Sequence, residues 1–109
     1  MRLTSLLLAA ILLVQSLVDA GAYTVNACTQ TNMITVWDSD EGYGRAVWAG
    51  ESGFVLVGND HVKRRMDFKI NYLSRAATIT YRSKTLKWKS PNDVIFWDGI
   101  LCYQYWGSY

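Results

Sequence analysis

Short segments in which apolar and polar residues alternate constrain the fold of this chain more than any other feature. The clearest runs from Val62 to Leu73, where Met66, Phe68 and Ile70 alternate with charged or amide side chains. Successive side chains of a β-strand point to opposite faces, so this segment has the pattern of a strand with one buried face. Helical periodicity is almost absent after residue 22. The sequence therefore predicts an all-β protein.

Eight further segments are short, rich in β-branched and aromatic residues, and bounded by turn-forming residues. Together the segments predict nine strands, at 23–27, 33–37, 45–49, 54–57, 62–73, 77–82, 85–89, 94–97 and 100–106. Gly42 and Gly44 are predicted to lie in a turn, and Asp98-Gly99 is a strong signal for a two-residue hairpin. Strands this short and closely spaced favour a small antiparallel β-sandwich or barrel.

The first 22 residues have the pattern of a cleaved export signal. Arg2 supplies a positive charge, Leu6–Leu13 is an apolar run, and Ala20-Gly21-Ala22 supplies the small residues that a signal peptidase requires. A spanning helix needs about 20 apolar residues, and this run is shorter. We expect residues 1–22 to be a signal peptide, which makes the mature protein secreted and extracellular. A retained N-terminal anchor is the alternative.

Cleavage before Tyr23, or alternatively before Gly21, would leave one domain, residues 23–109, without a transmembrane segment. Removing 22 of the 109 residues leaves 87, and secreted domains of this size often contain disulfides. Cys28 and Cys102 are the only cysteines, so one bridge is possible. A metal site is the alternative for two cysteines, but the chain has one histidine and no Cys-x-x-Cys pair.

Charge is unevenly divided along the chain, although the net charge is only +2. The segment from Asp38 to Asp60 is acidic, whereas the segment from Lys63 to Lys89 has nine basic residues against Asp67 alone. These cations form either a solvated sheet face or a surface for an anionic membrane or cell wall. Nucleic acid is not an expected partner. The candidate binding residues are Lys63, Arg64, Arg65, Lys69, Arg82, Lys84, Lys87, Lys89 and the aromatic Trp106.

Residues that could carry catalysis or hold a metal are few. His61 is the only histidine, lies in an expected turn, and has no nucleophile elbow nearby. Asp38, Asp40 and Glu41 are clustered, but acidic residues in turns commonly serve local hydrogen bonds. A structural turn is favoured over a calcium site, which stays open as the alternative. We therefore expect a binding protein rather than an enzyme, with no cofactor.

The stretch from Ile34 to Arg45 resembles the folded hairpin of βγ-crystallin domains, in which an aromatic residue stands seven positions before a glycine, as Trp37 stands before Gly44. Most of residues 23–106 is similar to small secreted members of that fold, the microbial killer-toxin-like and antimicrobial proteins. The shared features are Cys28, Trp37, Ala49-Gly50, Thr78–Tyr81, Leu86–Trp88 and Trp106. The resemblance implies a Greek-key β-sandwich and a non-enzymatic toxin that acts on other cells.

A second resemblance is to the MAX group of secreted fungal effectors, which are β-sandwiches of this size with a signal peptide and a disulfide. Their cysteines lie closer together than Cys28 and Cys102. This resemblance implies a virulence effector that binds a host protein. The two hypotheses differ in the surface they require. A continuous cationic face with exposed rings favours a membrane or wall, whereas an uncovered hydrophobic strand edge favours a protein partner.

Overall fold

The computed structural model describes residues 21–47, 51–59 and 61–109, and all of the regular secondary structure in these ranges is β-strand. The nine strands are β1 (Ala22–Cys28), β2 (Met33–Asp38), β3 (Gly42–Val47), β4 (Ser52–Gly58), β5 (Lys63–Ile70), β6 (Ala77–Tyr81), β7 (Lys84–Trp88), β8 (Asp93–Trp97) and β9 (Ile100–Ser108). Within the described ranges there is no helix with the length and apolar character needed to cross a membrane.

The strands form two antiparallel sheets that pack face to face. One has five strands in the order β3-β2-β1-β9-β8, and the other has four in the order β4-β5-β6-β7. The chain passes between the sheets after β3 and after β7. In the larger sheet the last strand, β9, returns to lie beside β1. The prediction of a small all-β antiparallel sandwich is confirmed.

Every second residue of the central strands contributes to the core between the sheets. On β5 the buried residues are Met66, Phe68 and Ile70, as their alternation with polar residues predicts. The remaining large core side chains are Tyr23, Val25, Ile34, Val36, Val55, Val57, Ile79, Tyr81, Tyr103 and Tyr105. Burial of apolar surface at roughly 25 cal/mol per Å² is the main term that holds the two sheets together. The intervening residues of β5 consequently face solvent.

The third strand differs from its prediction. It begins at Gly42 rather than at Arg45, and the predicted end at Ala49 lies outside the described residues. Gly44 is thus in a strand and not in a turn. A Cβ atom at Gly44 would lie 2.6 Å from the carbonyl oxygen of Leu56, because the backbone of β4 approaches β3 closely at this point. The glycine permits this close approach, so the signal that predicted a turn marks a backbone contact instead.

A disulfide joins Cys28 on β1 to Cys102 on β9, with the two Cα atoms 4.0 Å apart. The cysteines are direct cross-strand partners. The predicted bridge between the first and last strands is confirmed, and no free cysteine occurs among the described residues. Because the bridge closes a loop of 74 positions, restriction of the unfolded chain contributes roughly 4 kcal/mol to stability.

Candidate functional site

Part of the predicted basic set lies on the outer face of the four-stranded sheet. Lys63, Arg65 and Lys69 are exposed on β5, where they alternate with the core residues. The register places Lys69 beside Thr78 on β6 and Thr78 beside Lys87 on β7. We call the four residues Lys63, Arg65, Lys69 and Lys87 the cationic face. The sequence-based expectation that outward residues of these strands form one basic surface holds for these four.

The members of the cationic face differ in their contacts with neighbouring side chains. Arg65 donates a hydrogen bond to Asp67 at 3.0 Å, and its guanidinium also lies 4.0 Å from the centre of the Phe54 ring. The three lysines form no ion pair with any residue that the structure describes. The charge of the lysines is therefore available to an anionic partner, whereas Arg65 is partly neutralised.

Two other predicted binding residues, Arg64 and Arg82, take part in ion pairs away from the cationic face. Each donates a hydrogen bond of 2.9 Å to the same carboxylate oxygen of Glu41. Glu41 follows β2 in the five-stranded sheet, whereas the arginines belong to β5 and to the β6–β7 turn of the other sheet. These ion pairs therefore join the two sheets at one end of the sandwich, and both arginines share the charge of one carboxylate.

The last three predicted residues are spread over the molecule. Lys84 and Lys89 are exposed at the two ends of β7, and Lys84 lies opposite the core residue Tyr81. Trp106 is 52% exposed, but it belongs to β9 of the five-stranded sheet and so lies on the opposite outer face from the cationic face. The structure therefore places Trp106 apart from the cationic face.

The acidic turn after β2 is anchored by a buried carboxylate. Asp38 accepts hydrogen bonds from the hydroxyl groups of Tyr81 and Tyr109, and from the backbone N–H of Asp40 at 2.9 Å. The guanidinium of Arg82 lies 3.5 Å from the same carboxylate. Burial acts to raise the pKa of Asp38, but the tyrosine hydrogen bonds and the nearby cation outweigh it, so the pKa lies below its ordinary value.

Tyrosine rings surround this carboxylate. The ring centres of Tyr23 and Tyr81 are 5.5 Å apart, those of Tyr81 and Tyr109 are 5.6 Å apart, and both pairs meet edge to face. The Arg82 guanidinium lies 4.2 Å from the centre of the Tyr109 ring. Burial, reinforced by the hydrogen bond to Asp38, raises the pKa of Tyr81 to about 12. Sequence reasoning identified the acidic cluster but not these tyrosines, because they lie far away along the chain.

These contacts give the acidic turn a structural role. Among the described residues there is no group of three or more His, Cys, Asp or Glu side chains that could hold a metal ion. His61 is exposed, and its backbone N–H donates to the side chain of Asn59 at 2.9 Å, which is a local turn contact. The turn joins the two sheets through Asp38 and Glu41.

A different candidate surface is the open edge formed by β8. This strand pairs with β9 and with no other strand that the structure describes. The five-stranded sheet is one strand wider than the sheet packed against it, and β8 is at its margin. Three large apolar side chains of β8 are exposed: Phe96 by 75% and Val94 by 40% on the side that faces the smaller sheet, and Trp97 by 49% on the outer face.

The backbone of β8 also has hydrogen-bonding groups that no described residue pairs with. The carbonyl of Leu101 accepts a hydrogen bond from the N–H of Thr29, so the backbone of Leu101 faces β1 and not β8. Leu101 is the cross-strand partner of Phe96. Because bonding direction alternates along an antiparallel strand, the N–H and C=O of Phe96 point away from β9, as do those of Val94. The Val94 N–H is bonded to the side chain of Asp93 at 2.8 Å, which leaves the Phe96 groups as the open pair.

Comparison with known protein families, with curated proteins and with solved structures found no match. The resemblances to βγ-crystallin-like toxins and to MAX-type effectors therefore stay predictions. Three surfaces of the described residues remain as sources of a functional hypothesis: the cationic face, the β8 edge and the outer face of the five-stranded sheet.

The network around Asp38 predicts that stability falls at both ends of the pH range. The folded-state pKa of Asp38 is below its ordinary 3.8, so its contribution is present above that value and is lost as the pH falls through the folded pKa. The pKa of Tyr81 is raised from 10.0 to about 12, so its contribution is present below pH 10 and is lost as the pH rises towards 12.

The variant Asp38→Asn should lack the acid-induced loss that the carboxylate causes. It should also lower the free energy of unfolding near neutral pH by roughly 1.5–3 kcal/mol, because hydrogen bonds to a charged group are replaced by weaker ones. Thermal unfolding of wild type and variant as a function of pH measures both effects. An acid limb of identical shape in the two proteins would contradict this role for Asp38.

Proposed function

We propose that this protein is exported from the cell that makes it and acts without catalysis, by binding a protein of a host, as a virulence effector does. The observation that carries the proposal is the β8 edge, which combines exposed apolar side chains with open backbone groups. An extended segment of a partner can add to such an edge, since main-chain hydrogen bonds supply affinity and apolar contacts supply specificity.

The composition of β8 supports this role. Proteins commonly protect an edge strand with lysine, proline or a bulge. β8 has the sequence Asp-Val-Ile-Phe-Trp, which contains neither lysine nor proline, and it pairs regularly with β9 over its whole length. The aspartates at positions 93 and 98 flank the apolar centre. A partner strand with an apolar centre and basic flanks would complement both features.

Variants at Phe96 test the proposal. Phe96→Pro removes the N–H that points away from β9, and Phe96→Lys puts a charge on the edge; both leave the β8–β9 hydrogen bonds in place. Both should retain the fold, as judged by thermal unfolding, and weaken partner binding by about tenfold or more. Trp37→Lys is the matched control, because Trp37 is 56% exposed but lies on the interior strand β2.

A photo-crosslinking amino acid at position 96 identifies the partner in host extract, and calorimetry on the purified pair then measures the affinity of each variant. A cross-link to one host protein, with binding lost in both Phe96 variants and kept in Trp37→Lys, is the expected result. Cross-links only to a second copy of the chain, or equal affinity of all variants, would contradict the proposal.

A second candidate function is toxin-like or antimicrobial binding to the anionic membrane or wall of a target cell. The observation that favours it is the cationic face, whose three lysines have no ion-pair partner among the described residues. Each cation near an anionic membrane is worth about 1 kcal/mol. Among the described residues, no aromatic ring beside this face is as exposed as those of β8, which is why this candidate stands second.

Charge reversal tests the second candidate. Changing the four residues of the cationic face, Lys63, Arg65, Lys69 and Lys87, together to glutamate should leave the fold intact, because all four side chains are exposed. The variant should lose binding to vesicles that contain phosphatidylserine and should lose inhibition of yeast or bacterial growth. Wild-type binding should weaken with salt, since exposed charges are screened over about 10 Å at 0.1 M ionic strength. Arg45→Glu, on the other sheet, is the control, and a folded quadruple variant with full activity would rule this candidate out.

A further inference from the structure

The outer face of the five-stranded sheet carries half-exposed aromatic side chains in one line. Tyr43, Trp37 and Trp106 are exposed by 52%, 56% and 52% respectively. Tyr43 lies opposite Trp37, Trp37 lies opposite Thr24, and Thr24 lies opposite Trp106. The four positions therefore form a row that runs perpendicular to the strands, across β3, β2, β1 and β9. We call Tyr43, Trp37 and Trp106 the aromatic row.

The spacing of the aromatic row follows from the spacing of strands. Adjacent strands in a sheet lie about 4.8 Å apart, so Tyr43 and Trp37 are one such step apart and Trp37 and Trp106 are two steps, about 10 Å, apart. The small side chain of Thr24 separates the two tryptophans. These distances are comparable to the lengths of one and of two sugar units in an extended polysaccharide.

A row of polar side chains lies beside the aromatic row. Arg45 lies opposite Thr35, Thr35 lies opposite Asn26, and Asn26 lies opposite Gln104. The Gln104 amide donates to Asn26 at 3.0 Å, and the indole N–H of Trp106 donates to Gln104 at 2.8 Å. The hydroxyl of Thr35 is buried and has no hydrogen-bond partner among the described residues. The polar row thus holds one indole in position.

A groove extends the same face towards the β8–β9 hairpin. Its volume is about 280 Å³. Tyr43 and Arg45 line it on β3, Met33 lines it on β2, and Trp97 and Ile100 line it at the hairpin. Tyr43 belongs to both the row and the groove, so the surface continues from one into the other. A ligand longer than the aromatic row can therefore stay in contact with the sheet.

The chemistry of this face favours a ligand without charge. The polar row contains one cation, Arg45. It ends at Asp93 on β8, which lies opposite Gln104 on β9. The cationic face lies on the other sheet. Exposed aromatic rings stack on the C–H faces of pyranose sugars, and amide and hydroxyl side chains hydrogen-bond sugar hydroxyls. A lipid surface or a nucleic acid would instead require cations beside the rings.

We propose that the outer face of the five-stranded sheet binds an uncharged, extended polysaccharide. The sugar rings stack on Tyr43, Trp37 and Trp106, and their hydroxyls hydrogen-bond to Asn26 and Gln104. This function is independent of the β8 edge, because it uses side chains on the sheet face rather than the backbone of an edge strand. The protein would thereby be held at a cell wall while the edge remained free for a protein partner.

Co-sedimentation of the purified secreted protein with insoluble cellulose, chitin and β-1,3-glucan tests the proposal, with polygalacturonate and phosphatidylserine vesicles as anionic probes. The protein should bind at least one neutral polymer. Trp37→Ala and Trp106→Ala should each weaken that binding by roughly tenfold, whereas Trp37→Tyr, which keeps a ring, should retain most of it. Leu73→Ala is the matched control, because Leu73 is 97% exposed but lies in the turn between β5 and β6.

Thermal unfolding of each variant separates lost binding from lost folding, and the tyrosine variant reports on the ring even if an alanine variant unfolds. No binding to any neutral polymer, or binding that all tryptophan variants keep, would overturn the proposal. Binding confined to the anionic probes would also overturn it and would support the cationic face. A protein that binds its protein partner but no neutral polymer would show that the polysaccharide proposal has failed. A protein that binds a neutral polymer but no protein partner would show that the proposed function of the β8 edge has failed.

Discussion

The pairing of β1 with β9 is the constraint on which the surface of this protein depends. These are the first and last strands that the structure describes. They occupy the interior of the five-stranded sheet, and the disulfide between Cys28 and Cys102 joins them. With β9 beside β1, its hairpin partner β8 is forced to the margin of the sheet. The same pairing brings Trp106 into line with Trp37. Both the open edge and the aromatic row follow from it.

The β-sandwich places charged and aromatic side chains, which are interspersed along the sequence, on opposite outer faces. Cations of β5 and β7 face outward from one sheet, and the aromatic row faces outward from the other, with the core between them. Arg64 and Arg82 do not contribute to the cationic face, because both pair with Glu41 and Arg82 also pairs with Asp38. An anionic surface would therefore bind one face, and a ligand that stacks on exposed rings would bind the opposite face. Mutations can remove either kind of binding without affecting the other.

Period-two alternation was sufficient to predict the core face of β5 and the outward direction of Lys63, Arg65 and Lys69. The disulfide could be predicted because only two cysteines are present. The partners of Asp38 could not, since the tyrosine hydroxyls that reach it belong to residues 81 and 109, and only the tertiary fold brings them together. Likewise, no local signal in the sequence indicates the order of the strands in each sheet or which strand lies at the edge.

Amide hydrogen exchange along β8, followed by nuclear magnetic resonance, tests most directly whether the edge is open. In the free protein the Phe96 N–H should exchange rapidly, whereas the N–H groups of Ile95 and Trp97, which face β9, should be protected by their hydrogen bonds. Binding of a partner strand should then protect Phe96. Protection of Phe96 equal to that of its neighbours in the free protein would contradict the account, because the edge would already be covered.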